Sequence, residues 1–159
     1  MTPRCLFAAL LLVATVACES TPPPPPAEGT YSWRSYANES VGYVLEIPST
    51  YVPHPAHGGK DVIFRQDGFP VLCVNFVTPE EGRSRGLWAK HEPAREAVLG
   101  GRRAAVIPYR HHDGPSFMQV LSFVAPHRGQ ELGLEFRTPN REPDALQQHI
   151  LDSFRFTDS

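Results

Sequence analysis

The sequence predicts an α+β fold, an α/β sandwich in which an antiparallel β-sheet meander carries a C-terminal helix packed across it. Two observations predict the sheet: several stretches alternate apolar and polar residues, and Asp-Gly dipeptides separate pairs of such stretches. A third observation predicts the helix, because apolar residues between positions 146 and 154 recur at helical spacing. The chain beyond residue 30 is long enough for one domain with its own core.

The first strands are predicted in the N-terminal half of this domain. In residues 43–48, Tyr43, Leu45 and Ile47 alternate with Val44 and Glu46 until Pro48 ends the strand. Residues 62–64 and 71–77 are further apolar runs, and Asp67-Gly68 between them favours a tight hairpin turn.

Three consecutive strands are predicted in the C-terminal half. Residues 104–112 and 117–125 flank a second Asp-Gly turn, and residues 131–137 follow. Residues 117–125 are apolar on both faces, which favours a central strand covered on each side. In residues 131–137 the apolar side chains share one face and the charged ones, Glu135 among them, share the other. We therefore expect this last strand to be half-buried.

The C-terminal helix is predicted to begin after Asn140, a residue type that caps helices, with Pro143 and Asp144 in its first turn. Its apolar face consists of Leu146, Ile150, Leu151 and Phe154. Residues 153–157 then alternate like a short strand, so the helix must pack across the sheet that this strand joins.

Before the meander, residues 79–99 are charged and poorly periodic. We expect a loop at Glu80-Glu81 and a short helix at residues 87–89.

The N-terminus predicts export. Arg4 precedes an apolar stretch over residues 6–16, which is a secretory signal too short to span a bilayer. The residues Thr15-Val16-Ala17-Cys18 resemble the bacterial lipoprotein signal, which implies cleavage before Cys18 and lipidation of its thiol. The family usually has leucine where this chain has Thr15. An ordinary signal peptidase would cut the same bond and leave Cys18 as an exposed free thiol.

Three segments are thus expected: a signal peptide over residues 1–17, a lipidated Cys18 with a proline-rich linker over residues 18–29, and a globular domain over residues 30–159. The five prolines of residues 22–26 favour a polyproline II spacer of roughly 15 Å between membrane and domain. Glu19 follows the cysteine where an inner-membrane retention aspartate would often lie. The expected location is therefore the bacterial cell envelope, on the outer membrane if there are two.

Composition excludes some partners. The chain has 15 Lys and Arg and 17 Asp and Glu; loss of Arg4 with the leader leaves 14 basic residues and a net charge of −3. With no long basic run, nucleic acid is not an expected partner. Of three cysteines, Cys5 is removed and Cys18 is acylated, so Cys73 has no cysteine to pair with in the folded domain.

Four pieces of the sequence resemble the PsbP-like fold family, which includes many small bacterial lipoproteins. They are the opening strand Gly-Tyr-Val-Leu-Glu-Ile-Pro at residues 42–48, the turn at Gly100-Gly101 before Ala104, the hairpins of residues 104–137, and the ending Ser-Phe-Arg-Phe at residues 153–156. The resemblance implies an antiparallel sheet with helices against it. Members known by function mostly bind a partner or stabilise a complex, and they share no catalytic motif that these positions could inherit.

The residue types that carry chemistry form no recognisable constellation. A zinc site needs three or four converging ligands, and neighbours on a strand such as His111 and His112 point to opposite faces. We expect the histidines to lie in surface loops, with no metal bound: His54, His57, His91, His111, His112, His127 and His149. Cys73 lies between aliphatic residues and is predicted to be a small core side chain. Trp33, Tyr36, Trp88 and Tyr109 are likewise expected in the core.

The sequence therefore predicts no enzyme, no catalytic residue and no cofactor. It favours a membrane-anchored lipoprotein that acts as a non-enzymatic binding or accessory module, with a protein of the envelope as its partner and no binding residues assigned. The alternative is a small-ligand or metal-binding carrier of the envelope, which the histidines and Cys73 suggest.

Overall fold

The computed structural model describes residues 31–84, 95–113 and 116–157, which form two sheets and two short helices. The strands are Trp33–Asn38 (β1), Tyr43–Pro48 (β2), Val52–Ala56 (β3), Asp61–Gln66 (β4), Phe69–Val77 (β5), Arg95–Leu99 (β6), Arg102–Asp113 (β7), Ser116–His127 (β8), Gln130–Arg137 (β9) and Arg155–Phe156 (β10). The helices are Pro79–Ser84 (α1) and Ala145–Ser153 (α2), and a 3-10 turn spans His57–Gly59. Neither helix is long and apolar enough to cross a membrane.

The core lies between the two sheets. The larger sheet has seven strands in the order β3-β4-β5-β9-β8-β7-β6, and the smaller has three in the order β1-β2-β10. All neighbouring strands are antiparallel. Helix α2 packs against β2, and its apolar residues join one buried cluster with residues of both sheets. One face of the larger sheet is thus covered by a layer of β1, β2, β10 and α2.

The antiparallel meander and the C-terminal helix are confirmed, but the balance between helix and sheet differs from the prediction. The described residues form a strongly sheet-dominated fold rather than an even α/β sandwich. The strand that follows α2 joins the small sheet rather than the meander, so α2 packs across the small sheet.

The hairpin of β4 and β5 turns where the sequence predicts it. Asp67 has φ +51° and Gly68 has φ +84°, and a two-residue turn with both central φ values positive matches the twist of the strands it joins. The central position of β8 is also confirmed, because it pairs with β7 on one side and β9 on the other. Its Leu121 and Ser122, on opposite faces, are both fully buried.

Two predictions about helices are wrong. Asp144, not Asn140, caps α2: its side chain accepts a hydrogen bond from the Gln147 backbone, and the Gln147 side chain accepts one from the Asp144 backbone. Two otherwise unpaired N–H groups are satisfied together, which favours this start over one at Asn140. Glu80 and Glu81 lie on α1 rather than in a loop, because Thr78 and Glu81 form the same reciprocal pair. The helix predicted at residues 87–89 lies outside the described residues.

The turn between β6 and β7 yields a stability prediction. Gly100 and Gly101 both have positive φ, +56° and +81°, but only Gly100 faces other side chains: a Cβ there would lie 2.9 Å from Phe156 Cδ2 and 3.0 Å from Phe154 Cδ1. Gly101→Ala should cost about 1–2 kcal/mol through backbone strain alone. Gly100→Ala should cost about 2–4 kcal/mol, because overpacking adds to the strain. Urea unfolding of both variants measures the difference, and equal losses would contradict the close packing at Gly100.

Candidate functional site

Cys18, the site residue that the sequence predicts, lies outside the described residues. Its lipidation stays a prediction. The described residues of chemical interest fall into two groups, a polar row on the larger sheet and a set of separate histidines.

The polar row crosses the face of the larger sheet that points away from α2. On β5, Leu72 and Val74 point into the main core, so Cys73 between them points to the other face. Cys73 pairs with Glu135 on β9, and Glu135 pairs with Ser122 on β8. The three side chains therefore lie side by side on adjacent strands, with exposed fractions of 8%, 6% and 0%. The prediction that the Glu135 face of β9 is solvated is wrong, because this face is buried at its centre.

Two neighbours complete the row. The Tyr109 hydroxyl donates a hydrogen bond to Glu135, and the Arg137 guanidinium donates one to the Cys73 thiol. The Ser122 hydroxyl is buried and has no hydrogen-bond partner in the described part of the chain. Burying a polar group costs free energy unless the group is hydrogen-bonded. The fold must therefore supply hydrogen-bond partners for the side chains of this row.

The Cys73 thiol of the polar row is not activated as a nucleophile. Burial, and after it the Glu135 charge, raise the pKa of the Cys73 thiol to about 11 against the opposing effect of Arg137. Burial, and after it the same Glu135 carboxylate, raise the pKa of Tyr109. Since the thiolate is the reactive form of cysteine, a thiol held protonated at neutral pH is a packing residue rather than a nucleophile. The predicted burial of Cys73 is confirmed.

Thiol labelling tests this assignment. In the mature chain with Cys18→Ser, Cys73 is the one remaining cysteine. We expect the native protein at pH 8 to react with a thiol reagent at least a hundredfold more slowly than the urea-unfolded protein, since burial and a raised pKa both suppress attack. Rapid labelling of the native protein would show an accessible, activated thiol.

Alkaline pH should destabilise the fold. Burial raises the pKa of Tyr43, Tyr51 and Tyr109 above 10.0, and that of Cys73 above 9.0. Their contribution to stability is complete below pH 9 and is lost as pH rises, because the unfolded chain releases these protons first. Urea midpoints should fall steadily from about pH 9 to about pH 11. Tyr109→Phe should flatten that slope, and an unchanged slope would contradict the contribution of Tyr109.

His57 is the most exposed histidine with a described contact. Its Nδ1 lies 2.7 Å from Asp61 Oδ2, and the side chains are 64% and 3% exposed. The other oxygen of Asp61 accepts the Phe76 N–H at 2.9 Å, which fixes the carboxylate. His57 also has a positive φ of 49°, which is uncommon for a residue other than glycine. A buried carboxylate thus orients an exposed imidazole.

Two histidines expected in surface loops lie elsewhere. His127 is 1% exposed; its Nε2 lies 2.7 Å from the Val41 carbonyl, and Arg102 donates to its Nδ1 at 3.0 Å. It joins the larger sheet to the turn between β1 and β2. His149 lies on α2, where it stacks on Trp33 at 3.8 Å between ring centroids and contacts Glu46 Oε2 at 2.8 Å.

The remaining described histidines lie on strands. His54 is exposed but lies on β3, which corrects the prediction that it lies in a loop. His111 and His112 lie on β7, and His91 lies outside the described residues. Within residues 31–84, 95–113 and 116–157, no group of three or more His, Cys, Asp or Glu side chains is placed to hold a metal ion.

Sequence reasoning missed Asp61, Glu135, Ser122 and the buried role of His127. Strand alternation places Glu135 and Ser122 opposite the main core. A signal was present for Ser122, because an isolated hydroxyl in an otherwise apolar central strand is a candidate buried polar group. His127 lies in a turn sequence, and only the packing of the small sheet shows that it is covered.

The fold has counterparts among solved structures. Cyanobacterial PsbP (CyanoP) from Synechocystis sp. PCC 6803 is similar over 82% of this chain and 95% of its own, with a TM-score of 0.52 and 16% sequence identity. A protein from Bacteroides thetaiotaomicron VPI-5482 is similar over 77% of this chain and 48% of its own, with a TM-score of 0.49 and 8% identity. The sequence matches no protein-family model and no curated protein sequence. The likeness to cyanobacterial PsbP shows that this chain has a PsbP-like fold.

Proposed function

We propose that the protein is an exported lipoprotein, anchored to the bacterial cell envelope through Cys18, that acts as a non-enzymatic binding or accessory module. The observation that best supports this function is the PsbP-like fold, which matches 95% of the length of cyanobacterial PsbP. The sequence resemblance to that family implies proteins that bind a partner or stabilise a complex.

The chemistry of the described residues agrees with this proposal. Burial and Glu135 keep the Cys73 thiol protonated. Both ring nitrogens of His127 form hydrogen bonds within the fold. These groups tie strands together. A module of this kind acts through its surface, and the anchor confines it to partners of the same membrane.

Affinity capture tests the proposal. The full chain, tagged at its C-terminus, is crosslinked in cells and purified from solubilised membranes, alongside the Cys18→Ser variant. We expect one envelope protein at a fixed ratio with the wild-type chain, and a clear loss of it with the unanchored variant. A wild-type chain recovered without any protein partner would contradict an accessory role.

The second candidate is a carrier of a small ligand or metal, and the His57–Asp61 pair favours it. Histidine ligands of metals commonly donate their second ring nitrogen to a carboxylate, as His57 does to Asp61 here. It ranks below the first candidate because further ligands would have to come from outside the described residues. Zinc titration of the wild-type chain and of His57→Ala, read by calorimetry, tests it; micromolar binding lost in the variant would support a carrier.

A further inference from the structure

The two edges of the larger sheet differ in the backbone groups that they present. One edge is β3, where Pro53 and Pro55 lack the N–H that a strand needs in order to pair. Since the ladder with β4 needs donors, Val52, His54 and Ala56 supply them, and the prolines take the positions whose backbone points away from β4. This edge therefore offers no donor at two neighbouring outward positions, which blocks the addition of a further strand.

The opposite edge, β6, keeps its outward donors. The hairpin of β6 and β7 closes on the pair Leu99 and Arg102 across a two-residue turn, which makes this pair a hydrogen-bonded one. Hydrogen-bonded and non-hydrogen-bonded pairs alternate along an antiparallel ladder, so Ala97 also bonds to β7. Glu96 and Val98 consequently point their N–H and C=O groups away from β7. Within the described residues, no strand pairs with this side of β6.

The side chains at the β6 edge are exposed as well. Leu99 belongs to the main core and Ala97 packs against it, so Glu96 and Val98 project from the opposite face. Val98 is 69% exposed. Glu96 forms an ion pair with Arg103, in which the two side chains are 77% and 81% exposed. Since an exposed ion pair contributes little to stability, both charges remain available to a partner.

We propose that the β6 edge binds an extended segment of a protein partner, which adds to the larger sheet as a further antiparallel strand. The inference rests on the proposed function and names the surface through which the module acts. Glu96 and Val98 can each exchange both backbone hydrogen bonds with the residue opposite. Their side chains specify the segment: an apolar residue opposite Val98 and, two positions further along the partner chain, a basic residue opposite Glu96.

A second copy of β6 fits this edge poorly. A two-fold axis at Ala97 puts the Glu96 carboxylate opposite the second copy's Val98. An axis at Glu96 puts two carboxylates directly opposite each other, which destabilises strand pairing. An axis at Val98 pairs the two valines but brings Glu96 opposite Gly100, which lies in the turn beyond the end of the strand. A partner with a basic residue opposite Glu96 has none of these mismatches.

A peptide titration tests the edge separately from the anchor. The probe is acetyl-Thr-Val-Thr-Lys-Thr-amide, in which Val and Lys are spaced to pair with Val98 and Glu96. It is added to the isotope-labelled mature chain with Cys18→Ser and followed by NMR. We expect the amide resonances of Glu96 and Val98 to shift with peptide concentration, and that of His54 on the opposite edge to stay unchanged. The same peptide with N-methyl groups on its Val and Lys should cause no shifts, because it has lost the two donors.

Val98→Pro is the decisive variant, because it removes one outward donor without touching a hydrogen bond to β7. The matched control is Val98→Thr, which keeps the N–H. We expect peptide affinity to fall about tenfold in Val98→Pro and by less than about threefold in Val98→Thr. Thermal unfolding checks that both variants are folded. Glu96→Lys is an independent test: it should weaken binding of the Lys peptide and strengthen binding of the same peptide with Glu in place of Lys.

Several results would overturn the edge proposal. Equal peptide affinity in Val98→Pro and Val98→Thr, or shifts confined to other residues, would contradict strand addition at β6. A wild-type chain that sediments as a dimer, with Val98→Pro as a monomer, would assign the edge to a second copy.

Capture from membranes separates this inference from the proposed function. Val98→Pro should lose the partner that Val98→Thr retains. A partner recovered equally with both variants would reject the β6 edge and leave the accessory role standing. A wild-type chain recovered without a partner would reject the accessory role, and with it a partner strand at this edge.

Discussion

Phe154→Ala should lower the free energy of unfolding by about 3–5 kcal/mol, the loss typical of a fully buried aromatic residue. Phe154 is 0% exposed and ends α2. Its ring stacks on Tyr43 at 5.6 Å and meets Phe156 edge-on at 5.1 Å. One side chain therefore joins the helix, the last strand and β2, and its removal leaves a cavity that three elements line.

The matched control is Phe69→Ala, the same substitution at a side chain that is 64% exposed. We expect a change within about 0.5 kcal/mol, as for surface positions generally. Urea unfolding followed by tryptophan fluorescence measures both variants. Similar losses in the two variants would mean that Phe154 does not occupy the centre of the core.

The elements that local chemistry specifies were predictable from the sequence. Asp67-Gly68 can adopt the two positive φ values of a tight turn, and the flanking runs alternate, so the β4–β5 hairpin follows from a few neighbouring residues. The apolar face of α2 is specified in the same way by Ile150 and Leu151. The hairpin and the helix both depend on interactions between residues that are close in sequence.

The edge strands were not predictable in this way. Pro53 and Pro55 lie in β3, where periodicity indicates a loop, because proline cannot donate to a ladder. At the edge of the larger sheet both prolines are tolerated, since alternate N–H groups there face solvent. The three-stranded sheet was missed because β10, only two residues long, pairs with β2 from the far end of the chain.

The polar row needed three-dimensional information for a different reason. A strand with one apolar and one charged face is normally covered on one side only, which predicts solvent around Glu135. Its burial depends on Tyr109 and Cys73, which reach it from strands distant in sequence. Periodicity reports which residues share a face but not whether that face is covered.

Cys18→Ser should move the protein from the membrane fraction to the soluble extracytoplasmic fraction almost completely. A bacterial lipoprotein carries two or three acyl chains on this cysteine, and each buried methylene adds about 0.8 kcal/mol of membrane affinity.

The measurement is fractionation of cells that express the full chain, followed by mass spectrometry of the N-terminal peptide. The alternative, cleavage at the same bond without lipidation, predicts a soluble wild-type protein whose N-terminal peptide has the mass of unmodified Cys18. The matched control is Cys73→Ser, which keeps Cys18 and should leave the wild-type distribution unchanged.

Together, the proposed lipidation of Cys18 and the burial of Cys73 would leave the exported chain without an exposed thiol. A cysteine exposed on a short tail in an oxidising compartment forms intermolecular disulfides, whereas acylation removes its thiol. The other cysteine is protected by burial, by strands on either side and by a pKa raised to about 11. If Cys18 is acylated as proposed, non-reducing electrophoresis of the wild-type protein should show monomer alone. Disulfide-linked dimers that disappear in Cys18→Ser would indicate an unmodified Cys18 and remove the anchor from the proposed function.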